Sequence, residues 1–330
     1  MDRIFIHAWW RSGSTYIWTK LREKDCCVCY YEPLHEKILY LTLDDVEGPG
    51  DVEISRAFRH PLQKKNYFAE YTELIRTNNL HFSPALSYDR FLLLVDEKDE
   101  KLKFYLEGLL KAASAKQRVA VLSFCRSQMR SAWMKTIFSG IHVAQIRNPR
   151  DQWASFDVDR YFREKMLTIA LKLRTQHPSA FVHIQAFERF AQHVSTRPSL
   201  PSEQLFHLFI KERDALAVFL IIWIASALQA VSYSDYVLDI DLLSSNLSYR
   251  KATSDWLEAL GIPIDFSDCA SPPSDKLPVS AGEFEQMLHD AVAAIRSRAA
   301  LLVIVEPDVI MKRLASLSPL SRSILSAAVE

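Results

Sequence analysis

The fold is decided near the amino terminus, where residues 4–18 read IFIHAWWRSGSTYIW. Ile4 to Trp10 is short and rich in branched and aromatic side chains, which predicts a β-strand running into a glycine-bearing loop that opens a helix. Such a loop directs backbone N–H groups and a helix dipole at whatever lies above it, which suits an anion such as phosphate. Ser14 and Thr15 add hydroxyl donors, and Arg11 adds a planar cationic fork for an oxyanion.

This loop lacks the signature of the nucleoside triphosphatases. A Walker A loop would need a glycine near Ala8 and a lysine after Gly13, and the sequence has neither. The alternative is an ordinary helix cap, because Ser-Gly-Ser sequences commonly cap helices. The segment alone leaves both interpretations open.

Four further segments have the composition of short strands, and most are separated by helical stretches. They are Cys27 to Tyr31, Val119 to Cys125, Ile141 to Arg147 and Tyr236 to Ile240. Helical periodicity is clearest in Lys101 to Ala113, Asp157 to Leu173, Leu205 to Ala230, Thr253 to Leu260 and Phe284 to Leu302. This alternation predicts a three-layer α/β fold with a central parallel sheet and helices on both faces. Since no sharp change in composition marks a linker, we expect one domain over residues 1–330 with helical insertions at about 37–118 and 156–234.

The composition is that of a folded protein and excludes several classes. Apolar residues make up 49% and charged residues 24% of the 330 residues, which excludes a disordered, collagen-like or coiled-coil chain. Forty basic residues balance forty acidic ones. A nucleic-acid binder with a broad basic surface is therefore not expected, whereas a local basic pocket for a small anion is compatible with this balance.

Cysteine usage and hydropathy bear on the compartment. Cys26, Cys27 and Cys29 are too close together for a secreted disulfide framework, so we expect reduced thiols buried in a strand, and a cytoplasmic protein. Ala215 to Ala225 is continuously apolar, but serines and a glutamine interrupt the residues that follow. A buried core helix is favoured over a transmembrane span, although peripheral contact with a membrane is compatible with the sequence.

A second anion-binding segment is predicted at residues 146–155, which read IRNPRDQWAS. Asn148 suits a helix N-cap and Pro149 the first helical position, so a strand-to-helix junction is expected here. Arg147 would stand at the strand tip and Ser155 about two turns into the helix, and the two could converge on one phosphate group. The alternative is a solvated arginine and a serine packed within the helix.

A third segment, residues 30–36, reads YYEPLHE and places ionisable side chains at the end of a strand. Ligands of parallel sheets sit beyond the carboxyl ends of the strands, so Glu32, His35 and Glu36 are expected to face the same crevice as Arg11. Glu32 precedes Pro33, which predicts an extended backbone. A carboxylate or imidazole there could accept a proton from a hydroxyl. The alternative is a helix-capping Glu32 and a surface His35.

In this order the three segments resemble the sulfotransferases that use 3′-phosphoadenosine 5′-phosphosulfate (PAPS). Residues 11–15, RSGST, resemble the family's loop for the 5′-phosphosulfate, and Arg147 with Ser155 resembles its site for the 3′-phosphate. Residues 31–34, YEPL, are similar to the segment after the first helix of carbohydrate sulfotransferases. Val237 to Leu242 stands in the place of the family's later strand with its acidic residue and leucine.

The resemblance implies a P-loop-like sulfotransferase architecture, PAPS as donor, 3′-phosphoadenosine 5′-phosphate (PAP) as product, no metal, and a hydroxyl-bearing acceptor that is a carbohydrate or glycolipid. The implied donor-binding residues are Arg11, Ser12, Gly13, Ser14, Thr15, Tyr16, Arg147 and Ser155. The histidine that cytosolic sulfotransferases place after the third strand is missing, so the base falls to Glu32, with His35 and Glu36 behind it. Arg126 matches a basic residue that some branches place near the transferred group. The late Arg-Lys-Gly motif is also missing, which leaves the adenine contacts unassigned.

Two other functions are compatible with the sequence. A P-loop kinase would bind ATP and magnesium, but it would need a lysine beside the phosphate loop where this chain has Arg11. A non-catalytic scaffold would keep the fold and bind a partner through the lid-like stretch Asp268 to Leu277.

Overall fold

Five parallel strands form one sheet in the computed structural model, which describes residues 2–50, 63, 65–156, 159–182, 184–195, 211–270, 277–298 and 306–329. The strands are β1 (Arg3–His7), β2 (Cys27–Tyr31), β3 (Val119–Phe124), β4 (Ile141–Ile146) and β5 (Tyr236–Asp239). Each matches a predicted strand and ends at or shortly before the predicted boundary. Their residues are mostly buried, as expected for parallel strands covered on both faces.

Helices flank this sheet, which confirms the predicted three-layer α/β fold. The α-helices are α1 (Ser14–Arg22), α2 (Leu43–Glu47), α3 (Thr72–Arg76), α4 (Ala85–Tyr88), α5 (Glu100–Ala115), α6 (Ser131–Ile137), α7 (Pro149–Phe156), α8 (Arg160–Gln176), α9 (Pro178–Phe181), α10 (Gln185–Ser195), α11 (Glu212–Tyr233), α12 (Ile240–Ser245), α13 (Leu247–Ala259), α14 (Ala281–Arg296), α15 (Pro307–Leu314) and α16 (Pro319–Val329). Short 3₁₀ helices occupy Glu36–Tyr40, Ala69–Tyr71 and Gln128–Arg130. Helices α5, α8, α11, α13 and α14 correspond to the predicted ones; residues 157–158, 205–210 and 299–302 of those predictions lie outside the described residues.

The strand order is β2-β3-β1-β4-β5, so the first strand lies at the centre of the sheet. After β1 the chain moves to the β2 edge, and after β4 it moves to the β5 edge. Such a reversal creates a crevice at the carboxyl ends of the neighbouring strands, where ligands of open α/β sheets bind. The loops that follow β1 and β4 therefore lie side by side.

Helix α11 is the apolar helix for which the sequence left a transmembrane alternative. It is long and apolar enough to cross a membrane, but 94% of its most apolar window is buried inside the structure. It packs against α14, α6 and β4, and against further helices on the same side. The structure thus accounts for this segment as a core helix.

All five cysteines are free thiols, as predicted. Cys27 and Cys29 are buried in β2, but Cys26 is exposed, so its predicted burial is wrong. Cys26 lies in the turn that precedes the strand, where its side chain is outside the sheet.

A chain of buried hydrogen bonds crosses the centre of the sheet. His142 on β4 has its Nε2 atom 3.1 Å from the carbonyl oxygen of Phe138, which can only accept, so Nε2 carries the hydrogen. The Nδ1 atom of a neutral His142 then accepts from His7 Nε2 at 3.0 Å, and His7 Nδ1 accepts from the Ser127 hydroxyl at 2.8 Å. A second proton on either ring would place two N–H groups opposite each other, or would force the Ser127 hydroxyl to accept instead of donate. Both rings are therefore assigned as neutral.

We expect this pair to make the protein less stable in mild acid. Burial lowers the pKa of His142 to about 4 and that of His7 well below 6.5, whereas both titrate near 6.5 in the unfolded chain. Between these values the unfolded state binds more protons, so stability is full above pH 6.5 and falls as the pH drops toward 4, by on the order of 3 kcal/mol for His142. Urea unfolding at pH 7 and pH 5 measures this loss. A His142→Gln variant should show a smaller loss, and an unchanged pH dependence in that variant would contradict the assignment.

Candidate functional site

The loop between β1 and α1 is held in an unusual backbone conformation. Arg11 has a φ of 64° and Gly13 a φ of 82°, both in the left-handed region. A Cβ atom on Gly13 would lie 2.9 Å from Ile240 Cγ1, so both conformation and space demand glycine there. The amides of Tyr16 and Ile17 bond back to the Gly13 carbonyl at 3.1 and 3.2 Å. The amides before Tyr16 precede the first intrahelical bonds and form the N-terminal end of the helix dipole.

The two predicted anion-binding segments meet at Arg11. Its Nε atom donates to Ser155 Oγ at 3.0 Å and to the Ser155 carbonyl at 3.1 Å. Arg147 donates from Nη1 to the Arg11 carbonyl at 3.1 Å. Ser155 Oγ accepts from Arg11 and keeps its own hydrogen to donate, so its convergence with Arg147 on one phosphate group stays a prediction. The three residues nevertheless lie together in the crevice between β1 and β4.

Arg147 is nearly buried and incompletely paired. Only 11% of its side chain is exposed, and its Nε atom lies 4.0 Å from Asp241 Oδ1 without a hydrogen-bond partner among the described residues. Burial and the neighbouring Asp239 raise the pKa of Asp241 to about 6, which weakens Asp241 as a fixed counter-charge for Arg147. The Arg147 Nε atom is closed to solvent and faces Asp241, so a ligand would have to meet Arg147 at the exposed part of its side chain. The predicted N-cap is confirmed, because Asn148 Oδ1 accepts from the Asp151 amide at 2.9 Å.

The other predicted loop residues have defined partners within the protein. Ser12 is 1% exposed and its hydroxyl donates to the Trp9 carbonyl at 2.7 Å, so its side chain supports the loop from inside. Thr15 Oγ1 lies 3.3 Å from the hydroxyl of Tyr31. The Tyr16 hydroxyl donates to Asp268 at 2.7 Å, which joins α1 to the start of the predicted lid. Residues 271–276 of that lid lie outside the described residues.

Glu32 follows β2 and is held by Arg126, which follows β3. The Glu32 amide donates to the Ser123 carbonyl at 2.9 Å, and Arg126 Nη1 makes a short hydrogen bond to Glu32 Oε2. The predicted extended backbone of Glu32 is wrong, since its φ is 37°. The chain turns at once after the strand, with the His35 amide bonded to the Glu32 carbonyl at 2.8 Å, and this turn imposes the left-handed conformation.

Glu36 binds the other side of the same guanidinium. Arg126 Nη2 donates to Glu36 Oε2 at 2.9 Å, and the hydroxyls of Tyr88 and Tyr161 donate to Glu36 at 2.9 and 2.7 Å. Burial opposes ionisation of Glu36, but Arg126, His35 and Tyr161 outweigh it and hold its pKa at about 2. Burial and the Arg126 charge lower the pKa of His35 to about 4. His35 is therefore a neutral, weakly basic ring near pH 7, and Glu36 is a carboxylate committed to its partners.

Tyr88 and Tyr161 are site residues that the sequence analysis missed. They come from α4 and α8, inside the two predicted insertions, and neither stands in a recognisable motif. Lys165 joins them, with its Nζ atom 3.7 Å from Glu36 Oε1. Tyr161 and Lys165 are four residues apart, so they lie on one face of α8. This spacing is the only sequence signal for these two residues, and ordinary surface helices share it.

Cys125 connects the loop to the carboxylate. Its Sγ atom lies 3.0 Å from Ser14 Oγ, at the start of α1. Burial raises the pKa of the Cys125 thiol, and the adjoining Glu32 carboxylate raises it further, so the thiol keeps its proton beside Glu32. Ser14, Cys125 and Glu32 thus form a continuous polar path from the anion loop to the candidate base.

Comparison with family models, with curated proteins and with solved structures found no match for this chain. Among the residues that the structure describes, no group of three or more His, Cys, Asp or Glu side chains is arranged to hold a metal ion.

Proposed function

We propose that the protein is a sulfotransferase that moves a sulfuryl group from PAPS to an acceptor hydroxyl, with a saccharide as the acceptor class. The observation that carries the proposal is the meeting of Arg11, Arg147 and Ser155 in the crevice between β1 and β4. Two arginines at adjacent loop ends suit a ligand with two anionic groups. PAPS carries a phosphosulfate at one end of its ribose and a phosphate at the other.

Arg11 and the first amides of α1 would bind the phosphosulfate end. Charge shifts onto the oxygen that bridges sulfur and phosphorus as the sulfur–oxygen bond to the 5′-phosphate breaks, and fixed donors stabilise that charge. Ser155 orients the Arg11 guanidinium through its hydroxyl and its carbonyl. Arg147 would bind the 3′-phosphate and so contribute affinity for the donor.

Glu32 would accept the proton of the acceptor hydroxyl while that oxygen forms its bond to sulfur. Removal of this proton is worth about 100- to 10,000-fold in rate. Arg126 fixes the carboxylate, and Glu36 with the two tyrosines fixes Arg126. The Glu32 side chain is 10% exposed, so it is sheltered from bulk water.

Titration calorimetry with PAP tests the proposal. We expect the protein to bind PAP without magnesium and to bind it about 10- to 100-fold more weakly when Arg147 is changed to Ala, since a charged hydrogen bond to a phosphate is lost. Arg322→Ala, on an exposed position of α16, is the matched control and should bind like the parent protein. A magnesium-dependent preference for ATP would indicate a kinase. Failure to bind either nucleotide would favour the non-catalytic scaffold.

A further inference from the structure

The loop of residues 9–13 is held from the β4 side by two buried glutamines. Gln145 on β4 donates from Nε2 to the Ser12 carbonyl at 2.7 Å. Gln152 on α7 donates from Nε2 to the Trp10 carbonyl at 2.8 Å. Both glutamines are almost completely buried, at 0% and 1% exposure.

Arg147 donates at 3.1 Å to the Arg11 carbonyl, which lies between the carbonyls of Trp10 and Ser12. Three consecutive loop carbonyls are therefore each bound by a different side chain from one short stretch, Gln145 to Gln152. Each trans peptide unit is planar, with its C=O and N–H groups pointing in opposite directions. Fixing the carbonyls of Trp10 and Ser12 thereby fixes the N–H groups of Arg11 and Gly13.

The two glutamines are themselves immobilised. Gln152 Oε1 accepts from the indole Nε1 of Trp223 on α11 at 3.0 Å, and the same indole nitrogen lies 3.2 Å from the Arg147 carbonyl. The backbone carbonyl of Gln145 accepts from Gln128 Nε2 at 3.0 Å. Helix α11 and the β3–α6 connection thus bind the two glutamines that donate to the loop carbonyls.

The side chain of Gln145 is only half satisfied. Its Oε1 atom is buried without a hydrogen-bond partner among the described residues, which destabilises the folded state. A methionine of similar length would remove this unsatisfied oxygen, but it would also leave the Ser12 carbonyl without its donor. The benefit that offsets the cost is the hydrogen bond to Ser12, because a neutral amide can donate there without burying a charge.

From this geometry we infer that Gln145 and Gln152 are positioning residues that preorganise the loop amides for an anionic ligand. The inference rests on the proposed function for the identity of that ligand, the phosphosulfate end of PAPS. Without the two donors, a loop with left-handed residues at Arg11 and Gly13 would relax, and the amides would have to be reordered on binding.

The experiment compares Gln145→Met and Gln152→Met with Gln229→Met, the control at a buried glutamine further along α11. Hydrogen–deuterium exchange in the ligand-free protein reports on the loop through the Ser12, Tyr16 and Ile17 amides, which are hydrogen-bonded to loop carbonyls. Calorimetry with PAP reports on binding, and thermal unfolding reports on stability. We expect faster exchange confined to the loop and PAP binding about tenfold weaker in each loop variant, with a loss of thermal stability no larger than the loss in Gln229→Met.

Unchanged loop exchange in both variants would overturn the inference, and so would an equal effect of Gln229→Met. If exchange rises selectively but the parent protein binds no PAP, the positioning role stands and the proposed function fails. Should Gln145→Met fail to fold, Gln152→Met alone decides the question.

Discussion

Glu32→Gln is expected to lower turnover by about 100- to 10,000-fold while leaving the affinity for PAP unchanged. Glutamine keeps the size of the side chain and an oxygen that can accept from Arg126, but it cannot take up the acceptor's proton. The measurement is transfer of radiolabelled sulfate from PAPS to a saccharide-containing lysate fraction, together with calorimetry with PAP.

The matched control is Glu70→Gln. Glu70 also pairs with an arginine, Arg22, at 2.7 Å and is also largely buried, but it lies away from the crevice. The Glu70→Gln variant should be somewhat less stable than the parent protein and should transfer sulfate at the parent rate. If Glu32→Gln transferred sulfate at the parent rate, Glu32 would not be the base.

Arg126→Met is expected to destabilise the protein by about 3–5 kcal/mol. Arg126 is 1% exposed and stands between Glu32 and Glu36, so its removal leaves two carboxylates facing each other with no cation between them. The free energy of unfolding in urea measures the loss. A further Glu36→Gln change in this background should recover part of it, because one of the two charges is removed.

Arg76→Met provides the comparison. Arg76 also contacts two glutamates, Glu47 and Glu73, but 55% of its side chain is exposed. Exposed ion pairs contribute about 0–1 kcal/mol, so this variant should be nearly as stable as the parent. A loss at position 126 as small as the one at position 76 would contradict the expected cost of leaving two buried carboxylates without Arg126.

The sheet could be predicted because each strand is short and rich in branched or aromatic residues, and most are separated by helical segments. The loops after β1 and β4 were predictable for a related reason, since Gly13 and the Asn148–Pro149 pair mark where a strand gives way to a helix. Local sequence therefore located the crevice between these strands.

The contacts within the crevice were not predictable. Arg11 meets Ser155, and Gln145 meets Ser12, across more than a hundred residues, and which side chain faces which follows from strand order and register. Residues before proline usually have an extended backbone, but Glu32 does not, because the turn closed by the His35 amide requires a left-handed conformation. Tertiary hydrogen bonds decided each of these details.

The central position of β1 has a consequence for biosynthesis. Arg3 pairs with Ala120 on one side, and Ile4 pairs with Ile141 on the other, so β1 leaves the ribosome long before either of its partners. Until they emerge, an apolar strand with two unpaired edges is exposed, and contacts this distant in sequence form slowly. Completion of the nascent chain past β4, rather than emergence of its first helices, is the event that allows the sheet to close around its central strand.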